Sequence, residues 1–183
     1  DNKDPRGYYH YAKLLKMGAG VIRSLPLAQM NFENVAQGDS ELAVPALVEI
    51  GNIYELMDEK ENAIQTYEKA MEKGSDKGRS NYARMLAYGL GKEADIDKAI
   101  ELLNKSIENN DELAMAILGK LYLDGNGVPK DEKRAIELFE RSSSLNSPEG
   151  NNELAFCYLD GKGVEPDMKK ANYYFTQSAD ASN

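Results

Sequence analysis

Two apolar stretches and the loop between them decide the fold: Ala114-Met115-Ala116-Ile117-Leu118-Gly119-Lys120-Leu121-Tyr122-Leu123, then Asp124-Gly125-Asn126-Gly127-Val128-Pro129-Lys130-Asp131, then Ala135-Ile136-Glu137-Leu138-Phe139. Ile117, Leu118, Leu121 and Tyr122 recur at helical spacing, and Ala135, Ile136, Leu138 and Phe139 do so again. Glu137, Glu140 and Arg141 fill the opposite face of the second stretch, as an amphipathic helix requires. Gly125 and Gly127 permit positive φ, and Pro129 and Asp131 suit the entry to the next helix. The stretch therefore predicts a helix, a glycine-bearing loop and an antiparallel helix. No β-strand alternation is evident along the chain.

The same pattern returns. Met85-Leu86-Ala87-Tyr88-Gly89-Leu90-Gly91 and Cys157-Tyr158-Leu159-Asp160-Gly161-Lys162-Gly163 lie over Leu121–Gly127 without a gap. Ala99, Ala135 and Ala171 follow at a spacing of 36, each with Leu103, Phe139 or Phe175 four residues on. A looser copy upstream keeps Leu14, Leu15, Gly18, Gly20, Val21, Ala28 and Phe32 in the same places. A variant between them keeps Ile50-Gly51, Tyr54, Ala63, Tyr67 and Ala70 with a shorter loop. Five units result, over residues 5–38, 43–74, 77–110, 112–146 and 149–181, within a single repeat domain spanning 1–183. The recurring alanines stand where two helices approach closely, since a larger side chain there would overpack by about 1–3 kcal/mol. One unit cannot bury its own apolar face, so the units must stack into an all-α solenoid of about five antiparallel helix pairs.

The pattern from Ala114 to Phe139 closely resembles the Sel1-like repeat family. The second unit is more similar to an ordinary tetratricopeptide repeat, a related family of the same helix-pair architecture. The resemblance implies a non-catalytic scaffold or adaptor that binds a partner protein or peptide. It also implies that the first helix of each pair lines a concave groove. The residue after the Leu-Gly pair points into that groove, which selects Lys13, Asn52, Arg84, Lys120 and Phe156 as the partner-contact row. Three of the five are basic, and small residues such as Ser80 and Ala116 lie one turn before, so an acidic peptide is the expected occupant. Asn52 matches one position of the carboxylate clamp of tetratricopeptide proteins, but Val48 stands where its basic partner belongs. In the last unit Asn172-Tyr173-Tyr174-Phe175 replaces Ile136-Glu137-Leu138-Phe139, marking Tyr173 and Tyr174 as contacts for a further repeat or for a homodimer through the C-terminal repeat.

Composition narrows the remaining classes. The 22 Lys and Arg against 31 Asp and Glu leave a formal charge of −9, which disfavours nucleic acid as a partner. No run approaches the ~20 apolar residues of a membrane helix. One cysteine, Cys157, and one histidine, His10, make neither an internal disulfide nor a cysteine/histidine zinc site, so no metal or cofactor is expected. The missing disulfides lean toward the cytoplasm, while a first residue of Asp1 suggests a piece cut from a longer chain, from which a signal peptide could have been removed.

The features that suggest chemistry have simpler readings. The Gly-x-Gly loops follow helices and lack the strand context and Gly-Lys-Ser/Thr of a nucleotide loop. Asp124 and Asn126 suggest calcium, yet Val128 and Pro129 occupy positions five and six of the would-be loop. His10 has no nucleophile in a recognisable setting around it. Cys157 takes the core position of Leu121 and reads as a small buried hydrophobe. Asn104-Lys105-Ser106 satisfies the glycosylation triplet but lies within a predicted helix. Two alternatives to the adaptor stay open. One is a homo-oligomerisation module. The other is a β-lactam-hydrolysing enzyme of the cysteine-rich Sel1-like type, against which the absence of repeat-wise cysteine pairs and of a nucleophile–base pair weighs.

Overall fold

A computed structural model describes residues 4–181. Among the described residues there are ten helices and no strands: α1 (Pro5–Met17), α2 (Leu25–Ala36), α3 (Ala43–Leu56), α4 (Lys60–Glu72), α5 (Asp76–Ala87), α6 (Ile96–Glu108), α7 (Glu112–Asp124), α8 (Glu132–Ser144), α9 (Pro148–Asp160) and α10 (Met168–Ala181). The contacts divide the chain into two compact units. The first holds α1 to α4, α5 through Met85 and the loop Gly89–Glu93; the second holds Leu86–Tyr88 and α6 to α10.

The helix ends follow from local chemistry. Asp95, Asp111 and Asp131 each accept backbone N–H groups of the helix they precede, and Ser24 and Ser147 do so for α2 and α9. These caps satisfy amides that the helix itself cannot. At the other end Gly18, Gly125 and Gly161 adopt the left-handed conformation and return their N–H to Leu14, Leu121 and Cys157. The connections between pairs turn on Gly74, Asn110 and Asn146, again 36 residues apart and all at positive φ. Asparagine tolerates that region better than most residues. In the second pair one left-handed residue, Asp58, makes the shorter turn that the spacing predicts.

Packing explains the small residues. Ala28, Ala63, Ala99, Ala135 and Ala171 are all fully buried. In the first unit Ala12, Leu15, Ala28, Phe32, Val35, Ala46, Ile50 and Ile53 form one core cluster. In the second, Leu123, Ala135, Ile136, Phe139, Leu154 and Cys157 form another. Gly51 and Gly119 lie under aromatic rings of the paired second helix. A Cβ on Gly51 would stand 2.4 Å from the Tyr67 ring, and one on Gly119 would stand 2.6 Å from that of Phe139.

The second glycine of each of the three later Gly-x-Gly loops touches the preceding pair. A Cβ on Gly91 would lie 2.3 Å from the Lys60 carbonyl oxygen, one on Gly127 2.0 Å from the Ile96 side chain, and one on Gly163 2.8 Å from the Glu132 carbonyl oxygen. Each contact reaches back 31 residues to the first turn of the previous second helix. Gly163 also donates its N–H to the Glu132 carboxylate at 3.0 Å. The loops are thus turns and stacking surfaces at once.

Candidate partner-binding face

The first unit presents the faces of α1, α3 and α5. Lys13 is exposed on α1, and Asn52 and Arg84 are half-buried on α3 and α5. Beneath them lies Tyr67 of α4, fully buried. Its hydroxyl stands 2.7 Å from Asn52 Oδ1 and 2.6 Å from Glu55 Oε1, and one of the two accepts its proton. Burial first, then the Glu55 carboxylate, pushes the Tyr67 phenol far above its ordinary range, so it remains a donor. Arg84 Nη2 donates to both Glu55 oxygens at 2.6 and 2.7 Å. On the other side Lys16 Nζ meets Glu49 at 2.5 Å, and Asn52 Nδ2 faces the same carboxylate at 3.4 Å. Lys16, Glu49, Asn52, Glu55 and Arg84 therefore form a polar strip that ties α1 to α3 and α3 to α5. Tyr9 borders it, its phenol raised to about 12 by burial and by Glu49.

The second unit presents α7 and α9. Lys120 Nζ lies 3.4 Å from Glu153 on α9 and 3.9 Å from Asp124 one turn along its own helix. Phe156 is 44 % exposed and meets Phe175 edge to face at 5.1 Å. Leu159 is exposed three residues further along, whereas Leu123 and Ala116 are buried.

The residues of the contact row thus differ in their surroundings. Arg84 and Lys120 each hold a carboxylate, so the local charge alternates in sign. Exposed pairs of this kind contribute roughly 0–1 kcal/mol each, and part-burial raises the value modestly. Glu49, held by Lys16, and Glu153, held by Lys120, escaped the sequence reading. Their signal was an acidic residue three places before the row position, opposite a basic one on the neighbouring first helix. The Asn52 amide oxygen lies 2.7 Å from the Tyr67 hydroxyl, and its NH2 group faces Glu49.

Tyr173 is exposed, while Tyr174 is half-buried and stacks on Tyr158 at 5.7 Å, with Lys170 over the Tyr158 ring at 4.8 Å. His10 is exposed on α1 beside the Tyr9 ring. Asn104 lies exposed within α6, with Ser106 buried. Among the described residues no group of three His, Cys, Asp or Glu could hold a metal ion, and no helix is long and apolar enough to cross a membrane.

Cys157 is fully buried, and burial, then Glu153, raises its thiol to about 11. Both effects suppress the thiolate that alkylating reagents require. Native protein at pH 8 is expected to react with iodoacetamide at least about a hundredfold more slowly than protein unfolded in guanidinium, a difference set by the open fraction and the thiolate fraction together. Intact-mass spectrometry over time measures it.

The helix pairs, their glycine loops and their 36-residue spacing define a class of solenoid built from Sel1-like repeats. The Sel1 repeat family matches residues 5–38, 77–111, 113–147 and 148–183, and the chain belongs to that family. The pair α3–α4, with its shorter turn, falls between the matched segments. Among solved structures, a Sel1 repeat protein from Oxalobacter formigenes is 26% identical, with a TM-score of 0.63 over 99% of this chain and 72% of that one. A sel1 repeat protein from Klebsiella pneumoniae subsp. pneumoniae is 25% identical, with a TM-score of 0.67 over 97% and 87%. Helicobacter pylori cysteine rich protein B is 26% identical, with a TM-score of 0.52 over 68% and 90%. No curated protein matches the chain. Proteins of this family generally serve as scaffolds for protein interactions, and the fold is typically non-catalytic.

Proposed function

We propose that this chain is a non-catalytic adaptor that binds a partner protein or peptide on its first helices. Lys13, Asn52 and Arg84 are its contacts in the first unit, and Lys120 and Phe156 in the second. One observation carries the reading. At the same register position in successive pairs the side chain reaches the surface, while the residue before it, Gly51, Ala83, Gly119 or Ala155, is buried. Folding alone needs only the buried one.

The ion pairs shape what such a partner must do. A partner carboxylate approaching Arg84 competes with Glu55, and one approaching Lys120 competes with Glu153. An acidic side chain gains only the difference between two similar contacts, so specificity falls to its fit beside Lys13 and Phe156. An acidic residue suits the row of the first unit, and an apolar anchor suits that of the second. Phe156 is the stronger anchor, since aromatic side chains dominate interface energetics.

Affinity capture from native extract, read by mass spectrometry, identifies the partner; titration with variants then tests the face. Phe156→Ala and Lys13→Glu leave the ion pairs intact. Together they are expected to weaken binding about tenfold or more, an increment of about 1.4 kcal/mol. Arg84→Glu with Lys120→Glu sets carboxylates against Glu55 and Glu153 and weakens binding further. Unchanged affinity in folded variants removes this face from the function.

A further inference from the structure

Each first helix after α1 packs on the second helix before it through one ridge: a small residue, then large apolar residues four and seven places on. In α5 the ridge is Gly78, Tyr82 and Met85, and in α9 it is Gly150, Leu154 and Cys157; all six are buried. A Cβ on Gly78 would stand 2.6 Å from that of Ala70 on α4, and one on Gly150 would strike Ser142 on α8. Leu154 and Cys157 close one cluster with Leu123 and Phe139 of the pair before. The Tyr82 hydroxyl donates to Glu68 of α4 at 2.7 Å. The ridge returns in α3 as Ala46, Ile50 and Ile53 and in α7 as Ala114, Leu118 and Leu121, again all buried.

On α1 the same ridge lies open. Gly7, Tyr11 and Leu14 hold the places of Gly78, Tyr82 and Met85. Gly7 is exposed, and a Cβ on it would meet only Asp4, at 3.8 Å. Tyr11 is 44 % exposed and Leu14 39 %. Glycine weakens a helix, and in α5 and α9 the close approach of a second helix accounts for it.

The opposite half of this contact lies open on the fifth pair. Leu123, Leu138, Phe139 and Ser142 of the fourth pair are buried. Their register partners are Leu159, which is exposed, and Tyr174, Phe175 and Ser178, each half-buried. The face is already formed, since Ser178 Oγ donates to the Pro148 carbonyl at 2.8 Å as Ser142 Oγ does to that of Glu112 at 2.7 Å. We propose that α1 of one copy stacks on α10 of a second copy as α9 stacks on α8, with Gly7 over Ser178 and with Tyr11 and Leu14 against Leu159, Tyr174 and Phe175. Continuity with the interface inside the chain names the occupant. The ridge of α1 matches that of α5 in kind, and the face it fits is carried by the same chain. Tyr11 also keeps a partner for its hydroxyl. Thr176 stands at the register position of Glu68, and its Oγ1 can accept while donating to the Asn172 carbonyl at 2.9 Å. Ridge and face differ, so the contact is heterologous and each bound copy offers its free half to the next. The first-helix row takes no part. Lys120, at the place of Phe156, stays partly exposed with α9 in position.

Sedimentation velocity over a wide concentration range tests the contact. The wild-type chain is expected to grow past a dimer as concentration rises, and to stay associated in added salt because the contact is apolar. Gly7→Leu gives α1 a better helix former, and Ser178→Leu fills the site where the glycine must sit. Each is expected to weaken self-association about tenfold or more, with circular dichroism reporting an intact fold. Their equimolar mixture is expected to form a 1:1 species and stop there, because one variant retains the face and the other the ridge. Leu159→Glu replaces Ser178→Leu if that variant does not fold. A wild-type chain that stays monomeric overturns the proposal, and so does association that added salt abolishes. A closed dimer or a larger assembly that Gly7→Leu leaves unchanged overturns it too.

Discussion

Gly91→Ala is expected to destabilise the first unit by about 3 kcal/mol or more, and Gly20→Ala by only about 1–2 kcal/mol. The two glycines share a conformation, at φ +80° and +73°. An alanine in that left-handed region meets the same backbone strain at either site. Their surroundings differ. A Cβ on Gly20 meets nothing within 4 Å, whereas one on Gly91 falls 2.3 Å from the Lys60 carbonyl oxygen and 3.0 Å from the Glu61 nitrogen. Those are backbone atoms of the first turn of α4, and no rotamer change moves them aside. The turn must shift or the loop must lift, and either opens the packing between successive pairs. Guanidinium denaturation of both variants measures the difference, and the excess for Gly91 isolates the contact. Equal losses would reduce the glycine to its turn.

That contact shows where sequence reading runs out. The Gly-x-Gly spacing was visible and its turn role followed from φ preferences. The reach from Gly91 to Lys60, from Gly127 to Ile96 and from Gly163 to Glu132 depends on how one pair stacks on another. Periodicity announces that pairs stack without giving the offset between them. The same limit applies to the first-helix row. Arg84 and Lys120 are legible as cations on that face, but their pairing with Glu55 and Glu153 rests on an inter-helix offset of one turn. Register within a helix is a property of the chain. Register between helices is a property of the core, set by residues such as Phe32, Tyr67 and Phe139.

The core also rewrites what the buried polar groups do. Tyr67 reads from the sequence as an aromatic in the place Phe139 holds two pairs later, and in the structure both rings lie beneath a glycine of the first helix. Tyrosine adds a hydroxyl that reaches the polar strip at Asn52 and Glu55. A buried hydroxyl without partners would cost roughly 1–3 kcal/mol, so tyrosine is tolerated there only because the strip accepts its proton. The core of the second pair and the surface row above it are therefore one hydrogen-bonded structure. A change at Asn52 would be felt in both.

Phe139→Ala carries the largest expected loss, about 3–5 kcal/mol, and it should invert the effect of a second substitution. The ring is fully buried and sits against Gly119, so its removal forfeits transfer energy and leaves a cavity that helices held by neighbouring pairs cannot easily close. In the wild-type background Gly119→Ala places a Cβ 2.6 Å from that ring and 3.2 Å from the Ala135 carbonyl. Overpacking of this kind costs about 1–3 kcal/mol, while alanine in a helix interior gains up to about 1 kcal/mol over glycine. The clash wins, and the single variant is expected to be less stable than wild type. Once Phe139 is alanine the ring contact is gone and only the milder Ala135 contact remains. Gly119→Ala then fills part of the cavity and keeps its helix gain, so in that background it should stabilise. The coupling across the cycle is the signature of a glycine retained for the aromatic ring beneath it. Denaturation of the four chains measures it. A Gly119→Ala effect of the same sign and size in both backgrounds would mean that α7 and α8 adjust freely, and that the Leu-Gly pair answers to some other constraint.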